Sequence, residues 1–276
     1  MSSPFILGAV AYDPKVVTIW DGFKLFFEQH GLPFDYILYT SYERQVEAHL
    51  AGQVQVAWNS PLAWIEADRA APKRGRKARA VAMRDSDCDL TSVIVVRAES
   101  PYRTLQDLQG KRLGVGASDS PQATLIPLLH LAELGVQGEV VRHDVLVGKH
   151  GDHIGGERDA IRALLRGEVD AACIIDGNHL GFARDGTMAP GATRILGQTA
   201  PYDHCNFTVF DDAPAAQVAR FAQLLLGMSY DDPAVRPLMD LEGLKAWRPG
   251  RTEGYAALER AVDRTGYLDE WLRSVA

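Results

Sequence analysis

KRLGVGASDSPQATLIPLLHLAELG, residues 111–135, joins a strand to a helix through a small polar loop. Leu113 to Gly116 is short and mostly apolar, as a buried strand is. Ala117-Ser118-Asp119-Ser120 then opens a helix with Pro121 in its first turn and apolar residues at Leu125, Leu128, Leu129 and Leu131. Proline is tolerated there because its missing N–H would have no helical partner, and Ser or Asp just before it is a preferred cap. The N–H groups and positive dipole end of such a helix form a ready site for a small polar or anionic ligand. The stretch points to a small-molecule pocket. It leaves open whether the ligand is held or transformed.

Working outward, strands and helices alternate. Upstream, strands are expected over Phe5–Val10, Phe34–Tyr39, Gln55–Trp58, Ala78–Arg84 and Val93–Arg97, with helices over Val16–His30, Ser41–Ala51 and Pro61–Ala70. Downstream, Glu139–Val147, Ala171–Ile175, Ala192–Gln198 and Cys205–Phe210 read as strands and Glu157–Arg166 as a helix, before a helical tail broken at Pro233, Pro237 and Pro249. This βαβ rhythm defines an α/β fold of mixed sheets flanked by helices. Its restart near residue 104 suggests two lobes, residues 1–95 with 206–276 and residues 96–205, meeting at a hinged cleft. In open α/β sheets ligands sit beyond the carboxyl ends of strands. Polar residues collect at those ends: Tyr12 and Asp13, Thr40 and Ser41, Asn59 and Ser60, Ser118 to Ser120, and Asp176 to His179.

A net charge of -7 argues against nucleic acid as a partner, and the basic run Lys73, Arg74, Arg76, Lys77, Arg79 reads as a solvated loop. No apolar run is long enough to span a bilayer, so membrane insertion is not expected. The start MSSPFILGAVAYDP has no basic or apolar signal segment, which suggests a cytoplasmic protein, or a periplasmic one whose leader was removed. Three cysteines, Cys88, Cys173 and Cys205, form no disulfide framework and read as free thiols. Oligomeric state is not legible.

The chain resembles the phosphonate-binding branch of the type II periplasmic binding proteins. The residues that carry this are QVQVAWNSPLAWI (53–65), Asp107-Leu108 with Gly110-Lys111, GVGASDSPQAT (114–124), GGERDAIRALLRGEVDAACIID (155–176) and SYDDPAVRPLMDLEGLKAWRPGRTEGYAALERAV (229–262). The resemblance implies two α/β lobes closing on a small, usually anionic ligand, with an ABC transporter permease as partner if the protein is exported. Two local departures stand out. Asp119 puts a carboxylate between Ser118 and Ser120, and two like charges near 4 Å repel by about 4 kcal/mol at an effective dielectric of about 20. Asp119 must then point away, pair with a cation, or face a ligand that is not a dianion. The family's His at the start of a second-lobe helix is replaced by Gly155-Gly156-Glu157-Arg158.

Imidazoles and thiols cluster in three segments. HDVLVGKHGDHIGG (143–156) carries His143, His150, Asp152 and His153; Asp176, Asn178 and His179 follow a strand; Asp203, His204 and Cys205 adjoin the second hinge. No cofactor is required by these segments. His150, His153, His204 and Cys205 are nonetheless the ligand types of a divalent metal site, at a spacing of no known motif. As a binding protein, the chain would contact its ligand through Tyr12, Asn59, Ser60, Ser118, Asp119, Ser120, Asp176, His179 and His204. As an enzyme of the lyase or hydrolase class, it would use His179 or His204 as catalytic base, oriented by Asp176 or Asp203. Cys205 beside His204 suggests a nucleophile, but neighbours in a strand face opposite ways, which disfavours a direct pair. Trp58 could pack in the core or stack on a ligand. Trp64, Trp20, Trp247 and Trp271 read as packing residues.

Overall fold

A computed structural model describes residues 3–144 and 153–275. His150 and Asp152 lie outside them. Contacts divide the chain into unit 1 (1–88, 203–255 and 266–276) and unit 2 (89–202 and 256–265). Strands and helices are numbered along the chain.

Unit 1 contains β1 (Phe5–Val10), α1 (Lys15–Gln29), β2 (Phe34–Tyr39), α2 (Tyr42–Leu50), β3 (Val56–Asn59), α3 (Pro61–Ala70) and β4 (Ala78–Arg84). The chain returns to it with β10 (Asn206–Phe210), α7 (Ala215–Leu226), α8 (Arg236–Glu242), β11 (Trp247–Pro249) and α10 (Asp269–Ser274). The six strands run in the order β11-β4-β10-β3-β1-β2. β1 is parallel to β2 and β3, and β10 is antiparallel to both β3 and β4. The ends of β1 to β4 therefore share one edge with the starts of β10 and β11.

Apolar faces of β1, α1 and α7 close an aromatic core around Phe207, whose ring centroid lies 4.6 Å from that of Trp58 and 5.0 Å from that of Phe221. Such edge and tilted pairs add packing energy beyond area burial. Trp58 belongs to this core. Trp20 and Trp247 pack there too, Trp64 stacks on Tyr255, and Trp271 stays partly exposed on α10.

Unit 2 contains β5 (Ser92–Arg97), β6 (Arg112–Val115), α4 (Ile126–Glu133), β7 (Glu139–Arg142), α5 (His153–Arg166), β8 (Ala171–Ile175), α6 (Asp176–Arg184), β9 (Thr193–Gln198) and α9 (Ala256–Thr265). Its sheet runs β7-β6-β8-β5-β9, with β5 antiparallel to β8 and β9. β5 is hydrogen-bonded inside this sheet and α9 packs on α4, so residues 89–95 and 256–265 lie in unit 2 rather than with residues 1–88. The sequence boundaries, 95/96 and 205/206, differ from these: the first falls inside β5, which pairs only within the unit 2 sheet.

α5 starts earlier than the expected Glu157, and α6 is a helix where the sequence shows only a polar stretch after a strand. α5 begins at His153 and α6 directly at Asp176, because Gly155, Gly156 and Gly177 are poor helix formers that disguise an N-terminus. Gly156 is required by packing: a Cβ there would lie 2.7 Å from the His143 carbonyl oxygen. The glycine that replaces the family's histidine region thus lets α5 approach the end of β7. No helix among the described residues is long and apolar enough to cross a membrane.

Candidate functional site

At the unit 1 edge, Arg84 ends β4 and sits over the Trp58 ring, 5.1 Å from its centroid. Its Nε and Nη2 donate to the two oxygens of Asp87 at 2.5 and 2.9 Å, and its Nη1 to Glu242 Oε1 at 3.1 Å and to the Glu242 carbonyl at 2.9 Å. Asp87 and Glu242 are both buried. Burial would raise the Asp87 carboxyl, but Arg84 and then His204 hold it down at about 2. Burial pushes Glu242 up to about 7 even with Arg84 opposing, because Asp87 adds a like charge.

His204 Nδ1 lies 3.5 Å from Asp87 Oδ1 and 3.1 Å from Cys205 Sγ. Its backbone is pinned, N–H to the Asp87 carbonyl and C=O to the Tyr255 hydroxyl. The pairing of His204 with Cys205 corrects the alternation argument. Both residues precede β10, which begins at Asn206, so strand alternation does not govern them. The ring's carboxylate neighbour is Asp87, not Asp203, whose two oxygens take Arg251 Nη2 and Nε at 2.6 and 2.7 Å. Burial, followed by the Asp87 charge, pushes the Cys205 thiol well up, so it is no activated nucleophile. Ligand atoms of Asp87, His204 and Cys205 all lie within 4.8 Å of one another.

Asn59 and Ser60 are spent on structure. Asn59 is fully buried, accepting from Gln45 Nε2 at 2.7 Å and donating to Thr208 Oγ1 at 2.8 Å. This corrects its placement as a ligand contact. Ser60 Oγ caps α3 by accepting from Ala63 N–H at 3.2 Å. Tyr12, 53% exposed beyond β1, keeps a hydroxyl with no hydrogen bond among the described residues.

At the unit 2 edge, Ser120 Oγ accepts from Ala123 N–H at 3.2 Å. The turn it caps, Pro121–Leu125, is a wide π-type turn, with Leu125 N–H reaching the Ser120 carbonyl at 3.0 Å. Pro127 explains it. A proline cannot donate to the carbonyl four residues back and its ring clashes there, so the turn widens. The Ala123 carbonyl takes Gly116 N–H at 3.3 Å instead. Asp119 is buried, with Oδ1 3.3 Å from His153 Nε2.

Glu157, fully buried on α5, accepts from Gln122 Nε2 at 3.2 Å, Ile175 N–H at 2.9 Å and Asn178 Nδ2 at 2.9 Å. Burial still pushes it up to about 7. Asp176 accepts from the Thr91 hydroxyl at 2.7 Å and from Gly177 N–H at 2.6 Å. It therefore does not orient His179, whose Nε2 lies 3.0 Å from Thr193 Oγ1 and whose burial lowers its basicity. Of the four candidate metal ligands, His150 lies outside the described residues, His153 lies beside Asp119 in unit 2, and His204 and Cys205 join Asp87 in unit 1. Sequence reasoning missed Arg84, Asp87, Glu242 and Glu157. Only Arg84-x-x-Asp87, a charge pair just after a strand, left a trace in the chain.

Two α/β units with polar groups gathered at the carboxyl edges of their sheets define a solute-binding protein. A family model described as the ABC transporter, phosphonate, periplasmic substrate-binding protein matches residues 11–255. The chain belongs to that family. Membership implies a small-molecule ligand and a transporter permease as partner. The PhnD1 protein of Prochlorococcus marinus, solved with methylphosphonate, is similar at 16% identity and a TM-score of 0.70, over 96% of this chain and 99% of that one. A Xanthomonas citri protein solved bound to ATP matches at 18% identity and TM-score 0.69, over 95% and 99%. The Escherichia coli periplasmic aliphatic sulphonate binding protein SsuA matches at 15% and 0.57, over 99% and 94%. The family is periplasmic, so the expectation of a cytoplasmic protein finds no support, and neither does that of a lyase.

Proposed function

We propose that the protein captures a small polar organic solute on the periplasmic side and presents it to its permease. Each unit, taken by itself, offers edge groups that the fold leaves uncommitted and that suit such a solute. In unit 1 these are the Tyr12 hydroxyl and His204 Nε2, which make no hydrogen bond among the described residues. In unit 2 they are the Ser118 hydroxyl and the remaining lone pairs of Asp176. In the tautomer that donates Nδ1–H to the Asp87 carboxylate, Nε2 is an acceptor that suits a donor on the solute.

The observation that carries this reading is the commitment of Arg84, whose charge is already shared by Asp87 and Glu242. Arg84 is thus not free for a dianion, the other cation described near it being Lys15, 5.9 Å from the centroid of the Tyr12 ring, and in unit 2 Asp176 adds an acceptor. The solute therefore carries a donor or cationic group, and a simple alkylphosphonate is a poor fit. Calorimetry and thermal shift against methylphosphonate, an aliphatic sulfonate and an aminoalkylphosphonate test it. The amine-bearing compound is expected to bind tightest, and Tyr12→Phe to weaken it by about tenfold, the worth of one hydrogen bond. Tighter binding of methylphosphonate, or full affinity in both Tyr12→Phe and Ser118→Ala, would refute the assignment.

A further inference from the structure

Apart from solute recognition, unit 1 holds a thiol, an imidazole and a carboxylate in contact, and the reading above brings none of these ligand atoms against the solute. We propose that Cys205 Sγ, His204 Nδ1 and Asp87 Oδ1 form a binding site for a zinc-like divalent transition-metal ion. Sγ and Oδ1 lie 3.1 and 3.5 Å from Nδ1, and the three atoms are all within 4.8 Å of one another. Ligands of a tetrahedral zinc ion, bound at about 2.0–2.3 Å, stand roughly 3.3–3.8 Å apart. Side-chain shifts of up to about an ångström would reach that spacing.

The positions are also held. The His204 backbone is tied at both ends, Asp87 is clamped by Arg84, and Cys205 leads into the buried strand β10. Each carboxylate oxygen has two lone pairs, so Oδ1 can take a metal while keeping its 2.9 Å bond from Arg84 Nη2.

Charge balances as well. A dication is matched by the Asp87 carboxylate and a Cys205 thiolate, and its charge would favour ionisation of Glu242, which then pairs with Arg84. Binding forms metal–sulfur, metal–nitrogen and metal–oxygen bonds, releases the Cys205 proton to solvent, and moves the His204 proton from Nδ1 to Nε2. A thiolate–imidazole–carboxylate set selects zinc-like ions over magnesium or calcium, which prefer oxygen alone. Three protein ligands leave a fourth position for water or a further ligand.

The test is a cobalt titration of chelator-treated full-length protein without solute, so it succeeds or fails independently of the solute reading. One equivalent of Co²⁺ is expected to give an intense thiolate-to-cobalt charge-transfer band that Zn²⁺ then displaces. Cys205→Ser, checked for folding by circular dichroism, should abolish the band and weaken binding roughly tenfold or more. His204→Gln should weaken binding similarly, and serves if Cys205→Ser fails to fold. Cys88→Ser should change neither quantity. Absence of the band at stoichiometric cobalt, its survival in Cys205→Ser or His204→Gln, or its loss in Cys88→Ser would overturn the proposal.

Discussion

The two sheet edges each bury a glutamate whose carboxyl is pushed up to about 7, yet they hold it by different means. In unit 1, Glu242 leans on the Arg84 guanidinium, which also serves Asp87. In unit 2, Glu157 leans on neutral N–H donors from Gln122, Ile175 and Asn178. One cation shared by two carboxylates keeps only the better-placed one ionised, and Asp87, with both oxygens bound, is that one. Three amide donors do for Glu157 about what half a guanidinium does for Glu242. The comparison teaches that burial sets the scale of both shifts, and that partners decide only how much of it is cancelled.

The strongest way to break this symmetry is Arg84→Met. It leaves Asp87 and Glu242 buried with no guanidinium, and should cost about 3–5 kcal/mol in urea unfolding at neutral pH. The loss should shrink at acidic pH, where Glu242 protonates. A cost under about 1 kcal/mol would show that Arg84 is not what holds the pair.

Next in size is a pH effect. A glutamate that ionises at its ordinary 4.5 when unfolded but near 7 when folded binds more protons in the native state between those values. Its contribution to stability is therefore full below about 4.5 and falls as pH rises to about 7, by roughly 3 kcal/mol for Glu157. Glu157→Gln should remove that part of the slope in pH-dependent unfolding and leave the part due to Glu242. An unchanged slope would contradict the assignment. Asp87 acts with the opposite sign: its depressed carboxyl stabilises above pH 3.8 and loses that contribution as pH falls to about 2.

The smallest effect separates the two kinds of support. Gln122→Ala deletes one neutral donor to Glu157 and should cost about 1 kcal/mol. It should also raise the Glu157 midpoint further without moving that of Glu242, which carboxyl-resolved NMR titration of both groups would read. A joint movement would mean that the two are not independent.

Much of the frame was legible beforehand. Ser120 before Pro121 marks a capped helix start, and Ser60 before Pro61 marks another; both hydroxyls accept from the N–H three residues on. Such caps are local, spanning three residues, so residue type and order suffice. The π-type turn was less so, although its cause, Pro127, stands in plain view six residues later. Asn59 looked like a ligand contact from its place after a strand. Its burial depends on Gln45 and Thr208, the second of which is 149 residues away.

By itself, then, the sequence determined the alternation of strands and helices, the capped helix starts, the family, and the fact that polar groups gather where strands end. These follow from periodicity, local hydrogen bonding and short motifs. Tertiary structure alone decided which polar groups are spent and which remain. Arg84 meets Glu242 across 158 residues, Glu157 meets Gln122 across 35, and His204 meets Asp87 after the chain has built a second sheet and returned. A charge buried in a sheet edge takes whatever partner the topology brings within 3 Å or so, because the cost of leaving it alone exceeds any local preference.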